Sequence, residues 1–204
     1  MKQGKKPCIL YLHGLNGNAD EAKSFSYLND DYDILGIDYK DGNPWEVKDE
    51  IQKKAREIAK HHESISLIAN SIGAFYATRY LFDVGFEKAL FLSPLLDMKE
   101  TIERMMKQYG ISFEELSSKG TIPLDNGQTL SSRFYEEVSF PPFSWHPKTC
   151  IVRGEKDEVV SLASIERFVK STSSSLFLSP DAGHYFHREK ELVFLKTVAE
   201  NFFH

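Results

Sequence analysis

The fold is decided by residues 65–73, ISLIANSIG, where an apolar run of strand length leads directly into a turn around Ser71. A helical pattern over about 74–82 follows that turn without a spacer. The continuous apolar run is typical of a strand buried on both faces of a parallel sheet. A serine in such a strand–turn–helix unit is held on a tight, strained turn that presents its hydroxyl above the sheet edge. Taken alone, the unit also fits a plain turn in which Ser71 caps the helix.

The same alternation of strand-length and helical patterns continues along the chain. Further strands are predicted over 8–12, 33–37, 89–92, 149–152 and 175–178. Further helices are predicted over 20–28, 47–60, 161–170 and 189–203, the first capped by Asn18 or Asp20. Such alternation predicts β-α-β units, and their right-handed crossovers give a mainly parallel sheet of about six strands in a three-layer α/β sandwich.

One segment, 97–146, breaks this alternation. It holds no candidate for a parallel strand, but it has helical patterns over 98–109 and 113–118, a turn at 125–127 and a loop with Pro141, Pro142 and Trp145. A structureless loop of this length would be unusual inside a compact domain. We therefore expect one domain, 1–204, with a small helical cap or lid insertion at 97–146. Its apolar side chains would line an acyl pocket or form the insertion's own small core.

Composition limits the classes of function. The length of 204 residues is that of one domain, and the net charge of −5 comes with scattered basic residues, which makes nucleic acid a poor partner. No signal-peptide pattern and no apolar stretch of membrane-spanning length is present, so we expect a cytoplasmic protein. Cys8 and Cys150 each lie in an apolar strand-like run, which favours buried, reduced thiols over a disulfide or a nucleophile.

The loop after the first predicted strand reads LHGLNGN over 12–18. Acyl transfer needs backbone N–H groups that face the developing oxyanion, and we assign these to Leu15 in this loop and to Ile72 after the serine. Gly14 would let the loop backbone approach the site closely. His13 is interpreted as a brace for the loop rather than as a proton carrier. A phosphate-binding loop is the alternative, but its Gly/Lys/Ser pattern is missing.

Helix and strand must also pass close together around the serine. The residues two before and two after it therefore have to be small, and Ala69 and Gly73 meet this requirement.

An acid and a base follow two later strands. The segment RGEKDEVV, 153–160, offers Asp157, chosen over Glu155 and Glu158 because the Val159–Val160 pair behind it would anchor the loop. A carboxylate here can hold an imidazole in the correct tautomer. A solvated acidic turn is the alternative for this segment in isolation.

The segment DAGHYF, 181–186, offers the base. His184 can reach the serine from the end of the last strand, and Gly183 is expected to permit the turn. His187 is the rival, but it lies at the start of the closing helix and is expected to face solvent.

The order along the chain joins these segments. Ser71, Asp157 and His184 follow three different predicted strands in the order nucleophile, acid, base, which is the order of α/β-hydrolases. We therefore expect them to meet over one edge of the sheet as a catalytic triad.

The sequence resembles the α/β-hydrolase superfamily over nearly its whole length. LHGLNGN, ANSIGAFYATRY, RGEKDEVV and DAGHYF are similar to segments of small bacterial esterases of the YqiA type. This resemblance implies an α/β-hydrolase fold and a compact, metal-free hydrolase that acts on carboxylic esters or thioesters, and we expect no cofactor. Since the sequence shows no extended basic groove, we expect substrates of small to medium size rather than polymers. The residues that map onto the family are Ser71, Asp157 and His184, with Leu15 and Ile72 as oxyanion donors.

Three other functions compete with this interpretation. A hydrolase fold can serve as a non-catalytic binding or regulatory module, in which case a triad member would be lost, and none is lost from the sequence. A small peptidase or amidase would use the same residues. A nucleotide-binding doubly wound domain would require a glycine fingerprint that the chain lacks.

Overall fold

The computed structural model describes residues 5–40, 44–139 and 144–204. The chain divides into two compact units, one formed by Met1–Leu96 with Ser144–His204 and the other by Asp97–Phe143. Pro141 and Pro142 of the predicted proline loop lie outside the described residues.

The larger unit is built on a six-stranded sheet in which every neighbouring pair is parallel. Its strands are β1 (Cys8–Leu12), β2 (Asp33–Ile37), β3 (Ile65–Asn70), β4 (Lys88–Leu92), β7 (Lys148–Gly154) and β8 (Ser175–Ser179). The spatial order is β2-β1-β3-β4-β7-β8, so all six predicted strands are confirmed. The carboxyl ends of the strands share one edge because the sheet is parallel throughout.

Helices flank this sheet, as predicted. They are a 3-10 helix (Ala19–Leu28), α1 (Pro44–Ala59), α2 (Ile72–Tyr80), α6 (Leu162–Thr172) and α7 (Glu189–Phe203). Asn18 caps the 3-10 helix, accepting a hydrogen bond from the N–H of Asp20 at 2.9 Å, which decides between the two predicted caps. The helix α1 begins earlier than predicted, at Pro44, a residue suited to the first helical turn.

The core lies on both faces of the sheet. On one face, Ile68 and Val152 pack with Phe25 of the 3-10 helix and Leu195 of α7. Side chains alternate between faces along a strand, so Phe91 points the other way, where it contacts Phe168 of α6 with ring centroids 6.1 Å apart. Both faces are therefore covered, which explains the continuous apolar strands.

The 3-10 helix passes unusually close to strand β2. A Cβ atom on Gly36 would lie 2.1 Å from the backbone oxygen of Ala19, a distance that no side chain can occupy. Glycine at this position therefore lets the 3-10 helix approach the sheet. The resulting contact holds the start of this helix, which follows the first loop, against β2.

The smaller unit contains the helices α3 (Met98–Tyr109), α4 (Phe113–Lys119) and α5 (Ser132–Val138), together with a hairpin. The hairpin pairs β5 (Thr121–Pro123) with antiparallel β6 (Thr129–Ser131) around the predicted turn, where Gly127 has φ +82°. The insertion therefore contains a short antiparallel hairpin, which was not predicted, in addition to its helices. The strands are three residues each and too short to show an alternating pattern.

Both cysteines are buried free thiols. Burial raises the pKa of each to about 12, with Asp33 adding to the effect at Cys8. Neither thiol is therefore poised as a thiolate nucleophile. In the described part of the chain, every helix is too short or too polar to cross a bilayer.

Candidate active site

Ser71 occupies a strained turn between β3 and α2. Its backbone angles are φ 50° and ψ −116°, outside the regions that a side chain normally allows, and such a conformation costs about 1–3 kcal/mol. The end of the neighbouring strand β4 and the residues that follow it hold both backbone groups of Ser71. The Ser71 N–H donates to the carbonyl of Leu92 at 2.9 Å, and its own carbonyl accepts from the N–H of Leu95 at 3.0 Å.

Three side chains from separate strand ends form a hydrogen-bonded chain. The distance from Ser71 Oγ to His184 Nε2 is 3.0 Å, and the distance from His184 Nδ1 to Asp157 Oδ2 is also 3.0 Å. A proton on Nδ1 would be donated to the carboxylate, which leaves Nε2 to accept from the serine hydroxyl. The structure thus brings together the three residues that the sequence places far apart.

The Asp157 carboxylate is buried but well supplied with donors. Its Oδ1 accepts the N–H groups of Val159 at 2.8 Å and Val160 at 3.0 Å. Burial alone would raise the pKa of Asp157, but the hydrogen bond from His184 and these two N–H groups outweigh it and lower the pKa. Val160 is buried while Val159 is exposed, so the valine pair supports the acid mainly through its backbone.

Arg153 clamps the loop that carries the acid. The side chain is 5% exposed, and its Nη2 donates to the carbonyls of Asp157 at 2.6 Å and Val160 at 3.0 Å. Its Nη1 donates to the carbonyl of Gly154 at 2.8 Å. One planar guanidinium therefore binds several backbone carbonyls of the loop and holds that loop around the carboxylate. This role of Arg153 has no signature in the local sequence.

The loop that carries His184 is held against the acid loop. A Cβ atom on Gly154 would lie 2.0 Å from the carbonyl oxygen of Gly183, so the two backbones are in direct contact. Lys156 of the first loop also forms an ion pair with Asp181 of the second at 2.7 Å. Gly183 itself is outside the left-handed region and a Cβ there would meet nothing within 4 Å, so the turn does not depend on glycine at this position.

A buried carboxylate fastens the far end of the histidine loop. Glu191, in the first turn of α7, is fully buried and accepts hydrogen bonds from the N–H groups of His187 at 3.1 Å and Arg188 at 2.8 Å. The Arg188 side chain donates to the other carboxylate oxygen at 2.6 Å. The hydrogen bond from the Arg188 side chain is the largest effect, and together with these N–H groups it lowers the pKa of Glu191 to about 2.

The alternative candidates for the acid and the base lie outside the hydrogen-bonded chain of Ser71, His184 and Asp157. Glu155 and Glu158 are exposed, as is His187, whose side chain is 75% accessible to solvent. The His187 Nδ1 lies 3.1 Å from the carbonyl of Tyr185 rather than near the serine.

The first loop approaches the serine turn from β1. A Cβ on Gly14 would lie 3.4 Å from Ser71 Cβ, and a Cβ on Gly73 would lie 2.7 Å from the carbonyl oxygens of Leu12 and His13. Gly73 is therefore required by close contact with the backbone at the end of β1, whereas Gly14 lies in tight but tolerable contact with the side chains of Asn70 and Ser71. The His13 ring is buried, stacks on Tyr39 with centroids 3.9 Å apart, and bonds the Gly14 carbonyl through Nδ1 at 2.8 Å.

A cavity of about 340 Å³ lies beside the serine. Ser71, His184 and Leu15 line it, and so do several large apolar side chains, namely Phe25, Leu92, Tyr185, Phe186, Leu192 and Leu195. Tyr11, Asn70 and Glu21 add polar groups to the lining. Within the described residues, no group of three or more His, Cys, Asp or Glu side chains is assembled in a way that could hold a metal ion.

The contact between the acid and histidine loops gives a first test. Gly154→Ala should lower the free energy of unfolding by about 1–3 kcal/mol, because the new methyl group overlaps the carbonyl of Gly183. Gly183→Ala is the matched control and should be neutral or slightly stabilising, since it meets open space. Chemical denaturation measures both variants, and equal losses would contradict the contact.

Glu191 gives a test that depends on pH. Its pKa falls from an ordinary 4.5 to about 2 on folding, so its contribution to stability is complete above pH 4.5 and is lost as the pH falls toward 2. Glu191→Gln should therefore unfold more easily than wild type at pH 7, with a difference that narrows below pH 4.5. Glu189→Gln, an exposed neighbour in the same turn, is the control. A difference between wild type and Glu191→Gln that stays constant from pH 7 to pH 2.5 would contradict this assignment.

Comparison with known structures supports the fold assignment. Est1E from Butyrivibrio proteoclasticus superposes with a TM-score of 0.79 and 19% identity, covering 99% of this chain and 88% of that one. The alpha/beta hydrolase domain-containing protein 10 from mouse gives a TM-score of 0.73 and 15% identity, covering 98% and 90%. An esterase from Pyrococcus furiosus gives a TM-score of 0.61 and 17% identity, covering 98% and 82%. The chain therefore has the α/β-hydrolase fold, as predicted.

The sequence comparisons complete the assignment. A search of curated proteins found no match. The model of an uncharacterised protein family, UPF0227, matches residues 8–187, which is most of the chain. Together with the order of the strands and the turn at Ser71, this match shows that the chain belongs to the UPF0227 family of α/β-hydrolase fold proteins.

Proposed function

We propose that the protein is a serine hydrolase that cleaves a carboxylic ester or thioester of small to medium size through an acyl-enzyme on Ser71. The observation that carries the proposal is the hydrogen-bonded chain from Ser71 through His184 to Asp157 on a strained turn beside a cavity. A strained nucleophile in contact with an imidazole that is itself held by a carboxylate is the arrangement that activates a weak hydroxyl.

In the first half of the cycle, Ser71 Oγ attacks the carbonyl carbon while His184 Nε2 takes its proton. The oxyanion that forms is stabilised by the N–H groups of Leu15 and Ile72. Ile72 begins helix α2, so its N–H lies at the positive end of the helix dipole. The close approach of Gly14 to the Ser71 side chain supports the role proposed for Leu15, the next residue in the loop.

His184 then gives its proton to the leaving alcohol or thiol, and the acyl group stays on Ser71. Water attacks the acyl-enzyme with His184 as base, and the serine hydroxyl is restored. Asp157 stays ionised throughout and stabilises the imidazolium, a role supported by the lowered pKa of its carboxyl group.

The size of the cavity limits the substrate. A volume of about 340 Å³ is at the lower end of the range for small-molecule sites, which is about 300–1,000 Å³. Its largely apolar lining suits an acyl chain. The structure of Est1E has been solved with ferulic acid bound, so a ferulate ester belongs in a test panel beside aliphatic esters and thioesters of graded length.

Labelling by a fluorophosphonate probe tests the nucleophile and the base. Wild-type protein should be labelled, whereas Ser71→Ala and His184→Ala should not, because the first lacks the attacking oxygen and the second cannot remove its proton. His187→Ala is the matched control and should be labelled normally, since its side chain faces solvent. A folded wild-type protein that is not labelled would favour a non-catalytic binding module.

Turnover of a short p-nitrophenyl ester tests the acid. Asp157→Asn should lower kcat by about 10⁴, because an amide would stabilise the wrong tautomer of the imidazole. Glu155→Gln and Glu158→Gln should each leave kcat unchanged, since both side chains are exposed. If one of these two variants reduces kcat more than Asp157→Asn does, the acid is misassigned.

A further inference from the structure

Among the described residues that line the cavity beside Ser71, one carries a carboxylate and none carries a Lys or Arg side chain. Of the described residues that line it, Glu21 is the only Asp, Glu, Lys or Arg. Its side chain is half-buried in the 3-10 helix, and within the described chain it forms no ion pair with Lys, Arg or His. A half-buried carboxylate next to apolar side chains is stabilised by an opposite charge, so this one can bind a positively charged ligand.

Hydrogen bonds within the protein hold the Glu21 carboxylate in one position. Its Oε2 accepts from the hydroxyl of Tyr11 at 2.7 Å, and its Oε1 accepts from the backbone N–H of Asn18 at 3.2 Å. Burial, followed by the hydrogen bond with Glu21, raises the pKa of Tyr11, so its hydroxyl remains a donor. Each carboxylate oxygen keeps a second acceptor site for a ligand.

The same network connects Glu21 to the nucleophile. The side chain of Asn70, the residue before Ser71, lowers the pKa of the Tyr11 hydroxyl that contacts Glu21, which opposes the effect of burial. Tyr11 belongs to β1 and Asn70 to β3, two neighbouring strands in fixed register. The Tyr11 hydroxyl, which binds Glu21, is therefore held in a fixed position relative to Ser71, so that the site can select substrates by their length.

We propose that Glu21 is a specificity-determining residue that binds an ammonium group at the end of the substrate remote from the scissile carbonyl, an inference that rests on the proposed hydrolase function. The favoured substrates are esters or thioesters in which an apolar chain spans the cavity and ends in a primary amine. Esters that end in a carboxylate are disfavoured, because two like charges would share a cavity that holds no Lys or Arg among its described lining residues.

The test uses p-nitrophenyl esters of matched chain length that end in an ammonium, a hydroxyl, a methyl or a carboxylate group. In wild-type protein, kcat/KM for the ammonium ester should exceed that for each of the other three by about ten- to hundredfold, the effect of one charge-assisted hydrogen bond. The ratio should reach its maximum at one chain length. An ammonium ester that reacts no faster than the hydroxyl ester would overturn the inference, because charge would then not be what is recognised.

Two variants test whether the Glu21 carboxylate causes the preference for the ammonium ester. Glu21→Gln should reduce the ratio of ammonium to carboxylate ester by about ten- to hundredfold, while its amide can still form the helix capping contact with Asn18. Asp20→Asn is the matched control, since this neighbour makes the same change in charge but pairs with Lys23 at the surface and does not line the cavity. The ratio should be unchanged in that control, and an equal effect of the two variants would overturn the inference.

A binding measurement distinguishes failure of this inference from failure of the proposed function. If wild-type protein hydrolyses none of the esters, the proposed function fails. The corresponding amides can still be titrated into Ser71→Ala protein by NMR, with and without Glu21→Gln. Tighter binding of the ammonium ligand that depends on Glu21 would support the inference, and equal binding of all four ligands would overturn it.

Discussion

The parallel register of the sheet is the constraint on which the candidate site depends. Each strand runs in the same direction, so β3, β7 and β8 end at one edge and deliver Ser71, Asp157 and His184 to the same place. Chain separations of 113 residues between serine and histidine and 27 between histidine and acid are thereby reduced to hydrogen-bond distances. A shift of one residue in the pairing would turn every strand side chain to the opposite face and dismantle both the core and the site.

Burial of charge is the main energetic cost at this edge. Withdrawal of a carboxylate from water costs several kcal/mol, while a hydrogen bond to a charged group contributes about 1.5–3 kcal/mol. Asp157 receives three such bonds, from His184 and from two backbone N–H groups, and its lowered pKa shows that they outweigh desolvation. Arg153 contributes indirectly, because it orients the loop that supplies those N–H groups.

The sequence predicted the elements whose signal is local. Buried strands have continuous apolar runs, and the turn at Ser71 and the capped 3-10 helix have recognisable residues, so the six strands and the fold could be derived from periodicity. The short hairpin around Gly127 and the helix α5 were missed because their patterns are too brief. The roles of Arg153 and Glu191, and the cavity position of Glu21, were missed because they arise from contacts between distant segments. The close contact of Gly154 with Gly183 has no sequence signal either.

The backbone contact between Gly154 and Gly183 holds the loops of Asp157 and His184 together. Gly154 and Gly183 touch backbone to backbone, and the Lys156–Asp181 ion pair spans the same two loops. Ser71, in contrast, is anchored to the end of β4 through Leu92 and Leu95. The hydrogen bond between Ser71 and His184 therefore joins two separately anchored segments, whereas the imidazole and the Asp157 carboxylate belong to loops that are in direct contact.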